Sequence, residues 1–251
     1  MKKSSYYLLL SIIPLFFPIE AFCNTVDALP KTEKSQNNPK NYSESEAIDF
    51  FTKNTDKWKS TNNFSLGLQY FYGDKVSKNY SRAVELFTQA ANQGNARAQG
   101  MLGVMYLQGQ GVPQDYSKAV EWFTKSANQG NDSAQYLLGT MYGSGKGVPQ
   151  NYSKAAALFT KSAKQGNVKS QQTLGLMYLK GDGVIQNSSK AIKWLTSAAN
   201  QEDAKAQAIL GLMYYQGQGV VKDIQKSKTY LKQSCLNKYQ DACNVYKELK
   251  Y

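Results

Sequence analysis

Residues 102–119 read LGVMYLQGQGVPQDYSKA, residues 138–155 read LGTMYGSGKGVPQNYSKA, and residues 174–191 read LGLMYLKGDGVIQNSSKA. The three stretches are one sentence written at a spacing of 36 residues. Its columns extend in both directions: Gly67, Gly103, Gly139, Gly175 and Gly211; Tyr70, Tyr106, Tyr142, Tyr178 and Tyr214; Gly73, Gly109, Gly145, Gly181 and Gly217; Val76, Val112, Val148, Val184 and Val220. No insertion breaks the register. A fixed period of this length is the mark of a chain built from stacked supersecondary units.

Each period reads as two helices. In the first, Ala98, Leu102 and Tyr106 fall at i, i+4 spacing with Met101 and Met105 beside them. In the second, Ala119, Trp122, Phe123 and Ala127 form a similar stripe. Gln108–Pro113 separates the two helices, Asp115 suits the N-cap of the second, and Gly130 suits a left-handed end. Neither helix can bury its apolar face alone, so successive pairs must stack. This predicts five repeats, at 62–97, 98–133, 134–169, 170–205 and 206–241. Ser43-x-x-Glu46 opens a capping helix over 43–61. A second capping helix covers 242–251, where Lys247 and Lys250 stand in the glycine and tyrosine columns.

The glycines raise the question of phosphate binding. A phosphate loop occurs once, follows a strand and opens a helix. These glycines follow a helix, recur every period, and no G-x-x-x-x-G-K-[ST] occurs. They therefore turn corners, and no cofactor is implied. Gly103 and its equivalents lie inside a helix, where glycine costs about 1 kcal/mol against alanine. Close helix approach is the compensating reason, with Tyr106 and Trp122 the expected neighbours.

The first 23 residues carry Lys2 and Lys3, a mostly apolar run over Tyr6–Phe17, and a small-x-small-like end at Ala21-Phe22-Cys23. That is the pattern of a cleavable secretory signal peptide. The run falls short of the ~18–20 apolar residues that a membrane span needs, and Pro14 and Pro18 interrupt it. Lipidation at Cys23 is the alternative. Residues 24–42 lack apolar periodicity and read as a flexible linker. Once Cys23 is removed, Cys235 and Cys243 are the remaining thiols, and in an oxidising compartment they read as a disulfide rather than a metal site or nucleophile. The chain has no histidine, which removes the commonest general base and zinc ligand together. The formal net charge of +12 favours anionic partners. Export and the lack of a binding motif argue against nucleic acid.

The columns A-x-x-x-L-G-x-x-Y-x-x-G-x-G-V at Ala98–Val112 and D-x-x-K-A-x-x-W at Asp115–Trp122 closely resemble the Sel1-like repeat family, relatives of the tetratricopeptide repeats. The resemblance implies an all-α fold, an α/α right-handed superhelix of helical hairpins. It also implies an adaptor that binds other proteins in a bacterial envelope or host-interaction setting. Lys75 in the first repeat and Glu202 in the fourth depart from the glycine pattern. The C-x7-C spacing of Cys235 and Cys243 is similar to the helix-linking disulfides of the Helicobacter cysteine-rich members. Some of those are penicillin binders or weak β-lactamases. Here no S-x-x-K is present to activate a serine. The expectation is a monomeric periplasmic or secreted scaffold, not an enzyme, binding another protein or an anionic envelope component. A penicillin-recognising protein and a periplasmic immunity protein for a secreted toxin are the alternatives.

One set of first-helix positions is not needed for the core stripe: Phe64, Leu68 and Phe71; Val104 and Leu107; Tyr136 and Thr140; Leu176 and Leu179; Leu212 and Tyr215. In a tetratricopeptide-like superhelix such residues line a groove suited to an extended peptide or helix. The competing reading is packing between repeats. Arg82, Lys118, Lys154, Lys190 and Lys226 form a basic column, read either as an anion-binding ladder or as a solvated helix face. Trp122, Trp194, Phe87, Phe123 and Phe159 are assigned to the core, with the tyrosine column at a buried position.

Overall fold

The computed structural model describes residues 59–249. The expected signal peptide and linker, and the expected capping helix up to residue 58, therefore fall outside the described residues, as do 250 and 251. Within them every regular element is helical: α1 over 59–72, α2 Tyr80–Asn92, α3 Ala96–Gln108, α4 Tyr116–Asn128, α5 Asp132–Ser144, α6 Tyr152–Lys164, α7 Val168–Lys180, α8 Ser188–Ala199, α9 Ala204–Gln216, α10 Ile224–Leu236 and α11 Gln240–Glu248. The described residues divide into two compact units, the first ending at Ala98 and the second beginning at Gln99.

The caps explain where helices start. Asn79, Asp115, Asn151, Asn187 and Asp223 each accept the backbone N–H three residues on, opening the second helix of every hairpin. Asn131, Asn167 and Asp203 do the same for first helices. Each such cap is worth about 1 kcal/mol. First helices stop where Gly145, Gly181 and Gly217 turn left-handed and return an N–H to Met141, Met177 and Met213. The loop then folds back: the N–H groups of Asp115, Asn151, Asn187 and Asp223 reach the carbonyls of Tyr106, Tyr142, Tyr178 and Tyr214.

In the first unit, α1 and α2 meet where Gly67 faces Phe87; a Cβ on Gly67 would come within 2.6 Å of that ring. Phe64 and Phe71 flank Phe87, with ring centroids 5.8 and 6.5 Å away. In the second unit the same device recurs. Gly103 faces Phe123, Gly139 faces Phe159, Gly175 faces Leu195 and Gly211 faces Leu231. The partners are fully buried. The neighbour of Gly103 is thus Phe123, not Tyr106 or Trp122. Adjacent residues point about 100° apart around a helix, so only one of Trp122 and Phe123 can face α3. Trp122 and Trp194 are accordingly half-exposed rather than core. Phe87, Phe123 and Phe159 are fully buried.

Successive hairpins of the second unit pack second helix against next first helix. A ladder of side-chain amides runs through them. Gln129, Gln165, Gln201 and Asn237 donate to the Oε1 of Gln99, Gln135, Gln171 and Gln207, at 2.7, 2.9, 2.9 and 3.0 Å. Gln135, Gln171 and Gln207 in turn donate to the carbonyls of Ala127, Ala163 and Ala199 in the preceding hairpin. The amides of Gln135, Gln171 and Gln207 are thus satisfied on both sides, which fixes one register between neighbours.

Candidate partner-binding surfaces

The first-helix set divides by burial. Phe64, Phe71, Val104, Leu107, Leu176, Leu179 and Leu212 are buried inside this chain. Leu68, Tyr136, Thr140 and Tyr215 are half-buried. First helices are apolar nearly all round because second helices cover them on two sides, so most of the set is occupied by packing. Its accessible members are left at the surface of α1, α5 and α9.

Around Tyr136 the surface is polar and charged. The ring packs on Phe159 at 5.7 Å. Burial holds its hydroxyl above the usual phenol range, with a hydrogen bond to Thr140 acting against that shift. Asp203 is nearly buried: Oδ1 caps α9 through the Ala206 N–H, and Oδ2 accepts from Lys169 Nζ at 3.0 Å. Burial, and then Lys169, push the nearby Lys205 ammonium down.

The basic column has a physical seat that sequence reading missed. Lys118, Lys154, Lys190 and Lys226 lie over the rings of Tyr106, Tyr142, Tyr178 and Tyr214, with Nζ 5.2–5.4 Å from the centroids. The lysine and tyrosine columns, read separately, are one repeated cation–π pair that ties the start of each second helix to the end of the first. The common period of the two columns was the available signal. The same is true of the glutamine columns behind the amide ladder.

Cys235 and Cys243 are joined by a disulfide, with Cα atoms 4.6 Å apart. The bridge spans the α10–α11 turn. There Lys238 takes a left-handed φ of 65°, and Tyr239 supplies no side-chain cap to α11. Among the described residues no cluster of potential metal ligands occurs, and no helix is long and apolar enough to cross a membrane.

The Sel1 repeat family model matches five times, at residues 63–95, 96–131, 132–167, 168–203 and 204–239. The chain belongs to the Sel1 repeat family. Solved relatives agree with this. A protective antigen of uropathogenic Escherichia coli displaying an SLR fold is 36% identical with a TM-score of 0.72, over 82% of this chain and 44% of that protein. The chain thus spans less than half the length of that relative. A Sel1 repeat protein from Oxalobacter formigenes is 30% identical with a TM-score of 0.69, over 78% of this chain and 80% of that one. An immunity protein of Pseudomonas aeruginosa, Pa5087, is 22% identical with a TM-score of 0.47, too slight a likeness to bear on function. Among curated proteins the chain has no match. Sel1 repeats build interaction scaffolds, and the repeat columns of this chain have the corresponding packing roles.

Proposed function

We propose that this Sel1 repeat protein is an exported scaffold that binds another protein and catalyses no reaction. One observation carries the reading. The recurring glycine, aromatic, lysine–tyrosine and glutamine columns hold hairpins together, while the half-exposed first-helix residues are not repeated: Tyr136 shares its column with Phe64, Gly100, Gln172 and Ala208, and Thr140 shares its own with Leu68, Val104, Leu176 and Leu212. A frame that repeats beneath a surface that varies is what a scaffold for one particular partner needs. Partner contact in the second unit is assigned to Tyr136, Thr140 and Tyr215, and in the first unit, separately, to Leu68. The Cys235–Cys243 bridge and the charge pattern of the first 23 residues support an oxidising destination, periplasmic or extracellular.

The test is affinity capture on the mature protein from envelope and secreted fractions, with a Tyr136→Lys/Tyr215→Lys variant alongside. One protein enriched by the parent and lost by the variant is the expected result. Enrichment that ignores the variant would move the contact elsewhere, and no enrichment from any fraction would remove the scaffold reading. A chromogenic β-lactam incubated with the same preparation should show no turnover above a denatured control.

A further inference from the structure

In the second to fifth repeats the tips of the loops within hairpins carry an apolar residue, Pro113, Pro149, Ile185 and Val221, where the first repeat has Ser77. All four are exposed, Ile185 at 90% and Val221 at 88%. These are not floppy positions. The next residue ties three of the loops down, as Gln114, Gln150 and Gln186 donate to the carbonyls of Leu107, Gly143 and Leu179. Gly147, Gly183 and Gly219 seat the loops on the preceding hairpin at Tyr116, Tyr152 and Ser188. Aliphatic side chains are therefore held out into water by locked turns that follow one another along one edge.

The same edge is cationic. The lysine–tyrosine pairs lie at the loop end of each hairpin, and Lys146, Lys180 and Lys222 stand exposed in or beside the loops. Asp182 lies in the loop that carries Ile185. Asp115 and Asp223 sit 3.7 and 3.9 Å from Lys118 and Lys226. In the third and fourth repeats the caps are Asn151 and Asn187, so Lys154 and Lys190 have no carboxylate ion pair among the described residues. Ile185 stands between those ammoniums in sequence order.

We propose that this loop edge docks on an anionic lipid surface. The aliphatic tips enter the headgroup region while the flanking ammoniums stay at phosphate level. A protein partner is the weaker fit, because peptide recognition uses grooves that receive the partner's side chains. Here the chain's own side chains are the protrusions, separated by hydrated charges. The inference does not depend on the protein-binding reading, since it uses another part of the molecule.

The experiment is vesicle co-sedimentation of the full chain at low salt, with phosphatidylcholine vesicles and with vesicles containing a third phosphatidylglycerol. Ile185→Ser/Val221→Ser and Lys154→Glu/Lys190→Glu variants are compared with the parent. The N-terminal apolar run is common to all, so differences between variants report the loop edge. The parent should bind the anionic vesicles more tightly, and each variant should lose about tenfold or more of that affinity. Circular dichroism melts should match the parent for Ile185→Ser/Val221→Ser, whose changed side chains are at the surface. Lys154→Glu/Lys190→Glu also removes two lysine–tyrosine contacts, so its binding is read at a temperature where its own melt shows it folded. Equal binding of parent and variants to anionic vesicles overturns the proposal, as does equal binding of the parent to both vesicle types. Binding of poly-glutamate but not of vesicles assigns the edge to an acidic protein and overturns it too.

Discussion

At the scale of single residues, deviations from the period are more informative than agreement with it. Ser227 occupies the column of Ala83, Ala119, Ala155 and Ala191, all at 0% exposure, and its hydroxyl has no hydrogen-bond partner. A buried unpaired hydroxyl is a cost that alanine removes. Ser227→Ala should therefore raise stability by about 1 kcal/mol, read from the urea midpoint; an unchanged or lower midpoint would show that the hydroxyl is satisfied. Gln172 is a parallel case, fully buried with neither amide atom paired, in a column otherwise held by Phe64, Gly100, Tyr136 and Ala208. The glycines sort in the same way. A Cβ at Gly94, Gly130 or Gly166 would meet nothing within 4 Å, so only conformation favours glycine there. Glu202 and Lys238 adopt the same left-handed turn at φ of 64° and 65°.

At the scale of helices, the decisive contacts are close approaches. A glycine-to-alanine change inside an exposed helix should help by about 1 kcal/mol. Gly103→Ala should instead destabilise by about 1–3 kcal/mol, because the new methyl lies 2.6 Å from the Phe123 ring in a filled core. A denaturant midpoint above the parent's would show that α3 and α4 can separate without cost. The last hairpin depends on a covalent link instead. With Lys238 at the turn and no side-chain cap on α11, the Cys235–Cys243 bridge is the main restraint across that corner. Cys235→Ser/Cys243→Ser should cost about 2.5 kcal/mol by loop-closure entropy. Because repeat proteins couple through nearest neighbours, faster amide exchange should appear first in α10 and α11. Uniform exchange along the chain would count against that local role.

At the scale of the whole chain, ionisation ties stability to pH. Burial holds the hydroxyls of Tyr136, Tyr230 and Tyr239 above the usual phenol range. A raised folded pKa means that the native state keeps its phenolic protons after the unfolded chain has begun to lose them. The contribution is therefore complete below pH 10 and lost as pH rises through the folded values. Melting temperature should fall as pH rises above about 10, and Tyr136→Phe should fall less steeply than the parent. A Tyr136→Phe profile parallel to the parent's would remove Tyr136 from that account.

The repeat count, the helical hairpin and the corner role of the loop glycines were legible in the linear sequence, because a period of 36 residues and the cap at Asp115 are local facts. Local rules could not say what a residue meets 20 or 30 positions away. That Phe123 rather than Trp122 fills the space over Gly103, that Lys154 rests on Tyr142, and that Gln165 reaches Gln135 all depend on how two helices are rotated against each other. The same limit governed the first-helix stripe. Spacing put Leu176 and Tyr136 on comparable footing as surface residues, and packing of neighbouring helices buried the first while leaving the second half-exposed.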